Sequence, residues 1–298
     1  MPELPEVETV CRGLSPVLVG RRLTLVESRR PDLRFPLPER FSERLMGRTI
    51  KRLSRRAKYL IAEISGGDAL IMHLGMTGRF TIDSGSGKSG SGCAELGSYV
   101  YNTAGDPKHD HVVFHLAGAG RVVYNDPRRF GFMLLEPLAS LNQHPMFASL
   151  GPEPLDDAFC ARYLACCAAS RKVNLKSFLM DQRVVAGLGN IYVSEALYRA
   201  GLSPNRGAKF LADKKGRPTA GAEALVQSVR AVLTEAIKAG GSTLKDYRHA
   251  DGSEGQFQEQ FKVYDRAGQR CAKSGCEGTV KRVVHTGRAT YYCPACQK

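Results

Sequence analysis

A chain of 298 residues is long for one core, and with 43% hydrophobic residues it can bury two or three, which excludes a disordered protein. Its 43 Lys and Arg against 29 Asp and Glu leave a net charge of +14, which points to a polyanionic partner, most simply nucleic acid. No hydrophobic run reaches membrane length, the acidic start is not a signal peptide, and nine cysteines with four clustered at the end fit one metal site in a reduced compartment. These features predict a soluble, cytoplasmic protein with no membrane partner, and nothing demands more than a monomer.

The chain opens on Pro2, Glu3, Leu4, Pro5 and Glu6. Val7, Val10, Leu14, Val17 and Leu18 then fall at helical spacing, and Gly20 can end that helix. From residue 22 to about 135 the texture turns to strands. Short apolar runs at 59–64 and 69–72 are separated by Gly66-Gly67, and runs at 111–116 and 121–124 read as a hairpin. A Gly/Ser/Lys-rich stretch over 84–108 reads as a flexible surface insertion. Gly151-Pro152-Glu153-Pro154 marks a boundary, and helices are predicted over 175–181, over 190–200 with Asn190 as N-cap, and along the stripe from Leu225 to Ile237. From about 261 short strands carry the last cysteines. The predicted class is a multidomain α+β protein: a β-rich module over 1–135, a helical module over 151–258 and a small metal knuckle over 261–298.

Several sites carry chemistry. If Met1 is removed, Pro2 presents a secondary amine whose ordinary pKa near 8 leaves far more of it unprotonated than a lysine. Condensed with an aldehyde it gives an iminium, an electron sink for β-elimination, and Glu3 stands beside it. The plain alternative is a leader that stiffens a helix start. Cys271, Cys276, Cys293 and Cys296 form two pairs around a strand-like stretch, which suits one closed, structural Zn²⁺ held by four thiolates. Lys281, Arg282 and Arg288 give the intervening hairpin a positive tip. Cys11, Cys93, Cys160, Cys166 and Cys167 read as ordinary thiols. Gly187-Leu188-Gly189-Asn190 offers a tight turn and free N–H groups for a phosphate, or only a corner between helices. Asp126-Pro127-Arg128-Arg129-Phe130-Gly131 and His73-Leu74-Gly75-Met76-Thr77-Gly78 each follow a strand. They pair a cation and apolar wedges suited to a base stack, or are a hairpin corner and a core methionine. Arg55-Arg56-Ala57-Lys58 reads as a solvated basic stretch, or as one that places Lys58 as a proton carrier. For His109 a phosphate or sugar contact is favoured over a metal pair with His111.

Together these motifs resemble the formamidopyrimidine-DNA glycosylase family along nearly the whole chain, with a leader like its purine branch and unlike its endonuclease VIII branch. The resemblance implies an N-terminal β-sandwich with a leading helix, a helix–two-turn–helix domain and a C-terminal zinc finger. It implies excision of oxidised purines (8-oxoguanine, formamidopyrimidines) from double-stranded DNA, with a Schiff base on the N-terminal proline and then β,δ-elimination to a one-nucleoside gap. It would make Pro2 the nucleophile, Glu3 the acid/base and Glu6 a supporting carboxylate. Lys58 would assist β-elimination and Arg288 δ-elimination. Met76, Arg128 and Phe130 would fill the gap left by the flipped base, with Arg128 reading the orphaned cytosine. His73, His109, Asn190 and Arg288 would grip phosphates, and Arg171 or its neighbour Lys172 would also meet DNA. The stretch 242–250 resembles the loop that covers the extruded base. The spacer inside the first cysteine pair is longer than the family's usual one. Two other readings stand beside this: an oxidised-pyrimidine enzyme, and a DNA-binding protein without catalysis.

Overall fold

The computed structural model describes residues 2–83, 100–101, 106–118, 120–242 and 257–298. Most of the 84–108 insertion and all but Ser242 of the 242–250 stretch lie outside the described residues. The chain divides into two compact units, Met1–Ala148 with Ala239–Gln256, and Ser149–Lys238 with Phe257–Lys298.

The first unit begins with helix α1 (Leu4–Leu18). Strands β1 (Leu23–Ser28), β2 (Ile50–Arg56), β3 (Tyr59–Ile64), β4 (Asp68–His73), β5 (Arg79–Asp83), β6 (Val100–Tyr101), β7 (Asp110–Leu116), β8 (Arg121–Asn125) and β9 (Phe132–Pro137) follow, with short helices α2 (Phe41–Leu45) and α3 (Pro145–Ala148). They build a five-stranded sheet in the order β1-β7-β8-β5-β6 and a four-stranded sheet in the order β2-β3-β4-β9. One core joins both sheets and the helix: Val7, Val10 and Leu14 meet Leu60, Met72, Phe80, Val112 and Met133 in a single buried cluster. Fully burying such a side chain contributes about 1.5–3 kcal/mol, so the periodic face of α1 is fixed by burial and not by propensity. The result is a β-sandwich with a leading helix. The expected apolar runs pair as β3–β4 and β7–β8, both antiparallel. A bulge between Asp110 and Val112 breaks the β7 register beside His109 and re-aims the end of that strand.

In the second unit α4 (Ala161–Ala168), α5 (Leu175–Met180), α6 (Asn190–Arg199) and α7 (Ala220–Lys238) are followed by the hairpin β10 (Lys281–His285) and β11 (Arg288–Tyr292). Leu225, Val229, Val232, Leu233 and Ala236 bury the predicted stripe of α7. The expected N-cap of α6 is corrected: Gly189 occupies that position and Asn190 is the first helical residue. Its side chain is engaged by another element, whereas Asn174 caps α5 by accepting from the Ser177 N–H at 2.8 Å. The four terminal cysteines lie in the turns that flank the β10–β11 hairpin and not on its strands. Among the described residues no helix is long and apolar enough to cross a membrane.

Candidate nucleic-acid site and metal centre

Pro2 precedes α1 and is buried, and so are Glu3 and Glu6. The two glutamates form a reciprocal cap in which the Glu3 N–H donates to Glu6 Oε2 at 2.8 Å. The other carboxylate oxygen, Glu6 Oε1, accepts from the Ser242 N–H at 2.8 Å and its hydroxyl at 3.0 Å. Both Glu6 oxygens are therefore used to hold backbone around the chain start. This is a positioning role that the periodicity of α1 does not reveal.

The loop after β4 and the loop after β8 carry the predicted wedges and are locked to each other by one buried aspartate. Asp126 is fully buried and accepts from the Thr77 hydroxyl at 2.5 Å, the Tyr124 hydroxyl at 3.1 Å and the Gly131 N–H at 2.9 Å. Thr77 Oγ1 in turn accepts from the Arg128 N–H at 3.2 Å. The loops touch so closely that a Cβ on Gly75 (φ +62°) would lie 2.3 Å from the Gly131 nitrogen. Above this clamp Arg128 and Phe130 are exposed, the guanidinium 4.6 Å from the ring centroid, and Met76 is half-buried. An exposed cation–aromatic pair on a rigid base can enter a base stack without collapsing into the core. The structure thus brings Met76, Arg128 and Phe130 onto two interlocked loops. His109 is half-buried, and its carbonyl accepts from the Asp126 N–H at 3.0 Å.

His73 ends β4, stacked on Phe132 with centroids 5.1 Å apart. Burial, together with the positive charges of Lys58 and Arg34, pushes its pKa down to about 4. The neutral ring accepts from the Gly75 N–H at Nδ1 (3.0 Å), which leaves Nε2–H as a donor. Lys58 is buried at the β2–β3 corner, directly after Ala57 in the left-handed conformation (φ +53°). Arg55 does not behave as part of a solvated stretch: its side chain is 10% exposed and paired with Glu8 at 3.0 Å.

In the second unit Asn190 Nδ2 donates to the Ala289 carbonyl at 2.8 Å, tying α6 to the hairpin that carries Arg288. The hairpin tip is tied again by Ser177 and Thr286, whose hydroxyls lie 3.1 Å apart. A cavity of about 290 Å³ at this tip is lined by Lys176, Ser177, Met180, His285, Thr286 and Arg288. Lys176 is buried and donates to the Asn190 carbonyl and the Ser194 hydroxyl, both at 2.8 Å. Burial and the Lys176 charge hold His285 below the usual imidazole value. Arg171 and Lys172 are both exposed. Glu195 anchors the segment leading to the cysteines by accepting from the N–H groups of Lys262, Val263 and Tyr264. Lys176, Glu195, Thr77 and the role of Asp126 escaped sequence reasoning. A lysine in a short helix with Leu175, Phe178, Leu179 and Met180 was the available signal for Lys176.

The sulfurs of Cys271, Cys276, Cys293 and Cys296 all lie within 4.8 Å of one another. Two of the separations, Cys271–Cys296 and Cys276–Cys293, are 3.7 Å. A regular tetrahedron of thiolates with metal–sulfur bonds of about 2.3 Å has edges of about 3.8 Å, so the four could hold one tetrahedral ion. The longer first spacer still brings its two sulfurs within 4.8 Å of each other and of the second pair. The other described cysteines lie apart from this cluster. Burial raises the Cys11 thiol to about 11, which makes it an inert core group.

Comparison with known proteins places this geometry. Residues 1–133 match the formamidopyrimidine-DNA glycosylase N-terminal domain, and residues 150–248 match the H2TH domain of the same enzymes. A formamidopyrimidine-DNA glycosylase of Azorhizobium caulinodans is 56% identical over 299 residues, covering 100% of both chains. The Lactococcus lactis Fpg bound to abasic-site DNA superposes with a TM-score of 0.82 at 32% identity, covering 99% of each chain. The same protein bound to DNA containing N7-benzyl-Fapy-dG gives a TM-score of 0.82 at 33% identity over 100% of each. The chain is an enzyme and belongs to the formamidopyrimidine-DNA glycosylase family.

Proposed function

We propose that the chain excises oxidised purines from duplex DNA and cleaves the resulting abasic site through a covalent intermediate on Pro2. The observation that carries this reading is the chain start: a proline, buried ahead of α1, beside two buried and reciprocally capped carboxylates. With Met1 removed its nitrogen is a secondary amine. That amine attacks C1′ of a nucleotide extruded from the stack, the bond to the base breaks, and Glu3 exchanges the protons that the amine loses and the base gains. The C1′–O4′ bond then opens, O4′ taking a proton, and the iminium so formed acidifies the C2′ proton. Lys58 carries protons during the β-elimination that expels the 3′ phosphate, and Arg288 assists the second elimination at the 5′ side.

Extrusion costs a few kcal/mol of stacking, which Met76, Arg128 and Phe130 offset by filling the gap, with Arg128 hydrogen-bonding the orphaned cytosine. His73, His109, Asn190, Arg288 and Arg171 or Lys172 hold phosphates. Neutral His73 does so through Nε2–H, a hydrogen bond that adds no charge to the site. Zinc is the ion we assign to the four cysteines: a four-thiolate, closed set suits a structural ion that holds the Arg288 hairpin and takes no chemical step. The sandwich, the helical module and the metal hairpin are then three working parts.

Borohydride reduction during incubation with a duplex bearing 8-oxoguanine opposite cytosine tests the proposal, with Met1 loss verified by mass spectrometry. An adduct mapped to residue 2 is expected. Met1-free protein that binds the duplex and forms none refutes it. A parallel duplex bearing thymine glycol separates purine from pyrimidine preference.

A further inference from the structure

The four-stranded sheet and α1 are joined by a half-buried ion pair that the mechanism above does not use. Glu8 lies on α1, six residues beyond Pro2. Its Oε2 accepts from Arg55 Nε at 3.0 Å, across 47 residues of chain, and its Oε1 accepts from Arg12 Nε at 2.8 Å. Arg12 is largely exposed (65%), whereas the Arg55 side chain is 10% exposed. The second prong of Arg55, Nη1, donates at 2.9 Å to the carbonyl of Ala57. That carbonyl belongs to the peptide group that enters Lys58. Ala57 is 1% exposed and holds φ +53°, a conformation that L-residues other than glycine and asparagine seldom adopt. Burial alone would raise the Glu8 carboxyl, but the hydrogen bonds and charges of Arg12 and Arg55 outweigh it and hold it below the usual carboxylate value. The pair therefore stays ionised at neutral pH.

We infer that Arg55, anchored by Glu8, is a positioning residue for Lys58: one guanidinium spans the helix that begins beside Pro2 and the strained corner from which Lys58 departs. The inference rests on the roles proposed above for Pro2 and Lys58. A two-pronged planar cation fits this task because it fixes the carboxylate and the carbonyl in a set orientation, which an ammonium cannot do. A displacement of about 1 Å between reacting groups lowers rates by about a hundredfold, so a clamp at this corner has a kinetic consequence apart from any effect on stability.

The test is a double-mutant cycle in the full-length, Met1-free protein under single-turnover conditions on saturating abasic-site duplex. Strand cleavage, borohydride trapping and the salt dependence of binding are measured for Arg55→Gln, Arg55→Lys, Glu8→Gln, Lys58→Gln and Arg55→Gln/Lys58→Gln. Arg55→Gln should slow cleavage by about ten- to a hundredfold, with the dissociation constant and its salt slope unchanged. Glu8→Gln should act in the same direction more weakly, and Arg55→Lys should lie between wild type and Arg55→Gln. The double variant should be no slower than Lys58→Gln alone. Rate losses that multiply would overturn the inference, and so would a loss confined to binding with a shallower salt slope, the mark of a phosphate contact. Should Arg55→Gln fail to fold, Glu8→Gln decides, because a wild-type rate in that variant also overturns it. Wild-type protein that forms no adduct would instead remove the covalent mechanism, a distinct outcome.

Discussion

Removing the carboxylate of Asp126 should unlock the two wedge loops, and the size of the effect follows from its three donors. Thr77, Tyr124 and Gly131 all point at one fully buried side chain. Hydrogen bonds to a charged acceptor contribute about 1.5–3 kcal/mol each, and an orphaned buried donor costs about 1–3 kcal/mol. In Asp126→Asn the amide oxygen can keep the Tyr124 hydroxyl and the Gly131 N–H, while the amide NH₂ turns to Thr77, whose hydroxyl can accept. About 2 kcal/mol should be lost, mostly the charge assistance. In Asp126→Ala all three donors lose their acceptor, and about 4 kcal/mol should go, less than the sum because water can reach a vacated polar site. For a unit of this size 1 kcal/mol moves the melting midpoint by about 2–4 °C. Asp126→Asn should then melt about 4–8 °C lower and Asp126→Ala about twice as far. Differential scanning calorimetry reads both, and excision of 8-oxoguanine should fall in the same order as Arg128 and Phe130 lose their rigid base. An alanine variant that melts with wild type, or an asparagine variant worse than alanine, would refute this account of the clamp.

His73 gives a pH prediction with a definite sign. Its folded pKa, about 4, lies below the ordinary value of 6.5, so the unfolded chain binds the extra proton between those values. The stability contributed by the neutral ring is complete above pH 6.5, declines as pH falls toward 4, and levels off below it. Urea midpoints of His73→Gln should therefore show a shallower slope than wild type between pH 4 and 6.5, and parallel slopes would contradict the burial argument. For the metal centre, mercurial titration of the thiols should release one zinc per chain and lower the melting midpoint, and Cys276→Ser should abolish stoichiometric zinc by elemental analysis. For the wedge, Arg128→Ala should cut the preference for cytosine over adenine opposite the lesion by about 1–3 kcal/mol in competition binding. An unchanged preference would remove Arg128 as the reader of that base.

The elements whose burial is periodic in sequence were legible: the α1 stripe at Val7, Val10 and Leu14, the paired runs of β3 and β4, and the cysteine pairs. What the sequence concealed were contacts between segments far apart along the chain. Asn190 looks like a cap because local statistics favour it, yet its amide is taken by Ala289, 99 residues away, and glycine fills the cap. Arg55 looks solvated because basic runs usually are, and only the sandwich brings Glu8 to it. Asp126 shows no role in its own segment, since one of its three partners, Thr77, lies 49 residues away and reaches it only when the two loops fold onto each other. Local propensity is read residue by residue, whereas a buried charge is explained only by the groups that tertiary structure delivers to it.

The Glu6–Ser242 contact has a consequence for how the protein is made. The carboxylate waits for a partner 236 residues downstream. At ribosomal speeds of about 5–20 residues per second the chain start stays without that partner for roughly 10–50 s. The Glu6 carboxylate, beside the amine we propose as nucleophile, is thus left hydrated until the last fifth of the polypeptide is made. On the proposed mechanism the surroundings of Pro2 are completed late in synthesis, so a nascent or truncated chain should carry the interlocked loops of Thr77 and Asp126 well before the carboxylate that braces the chain start is set.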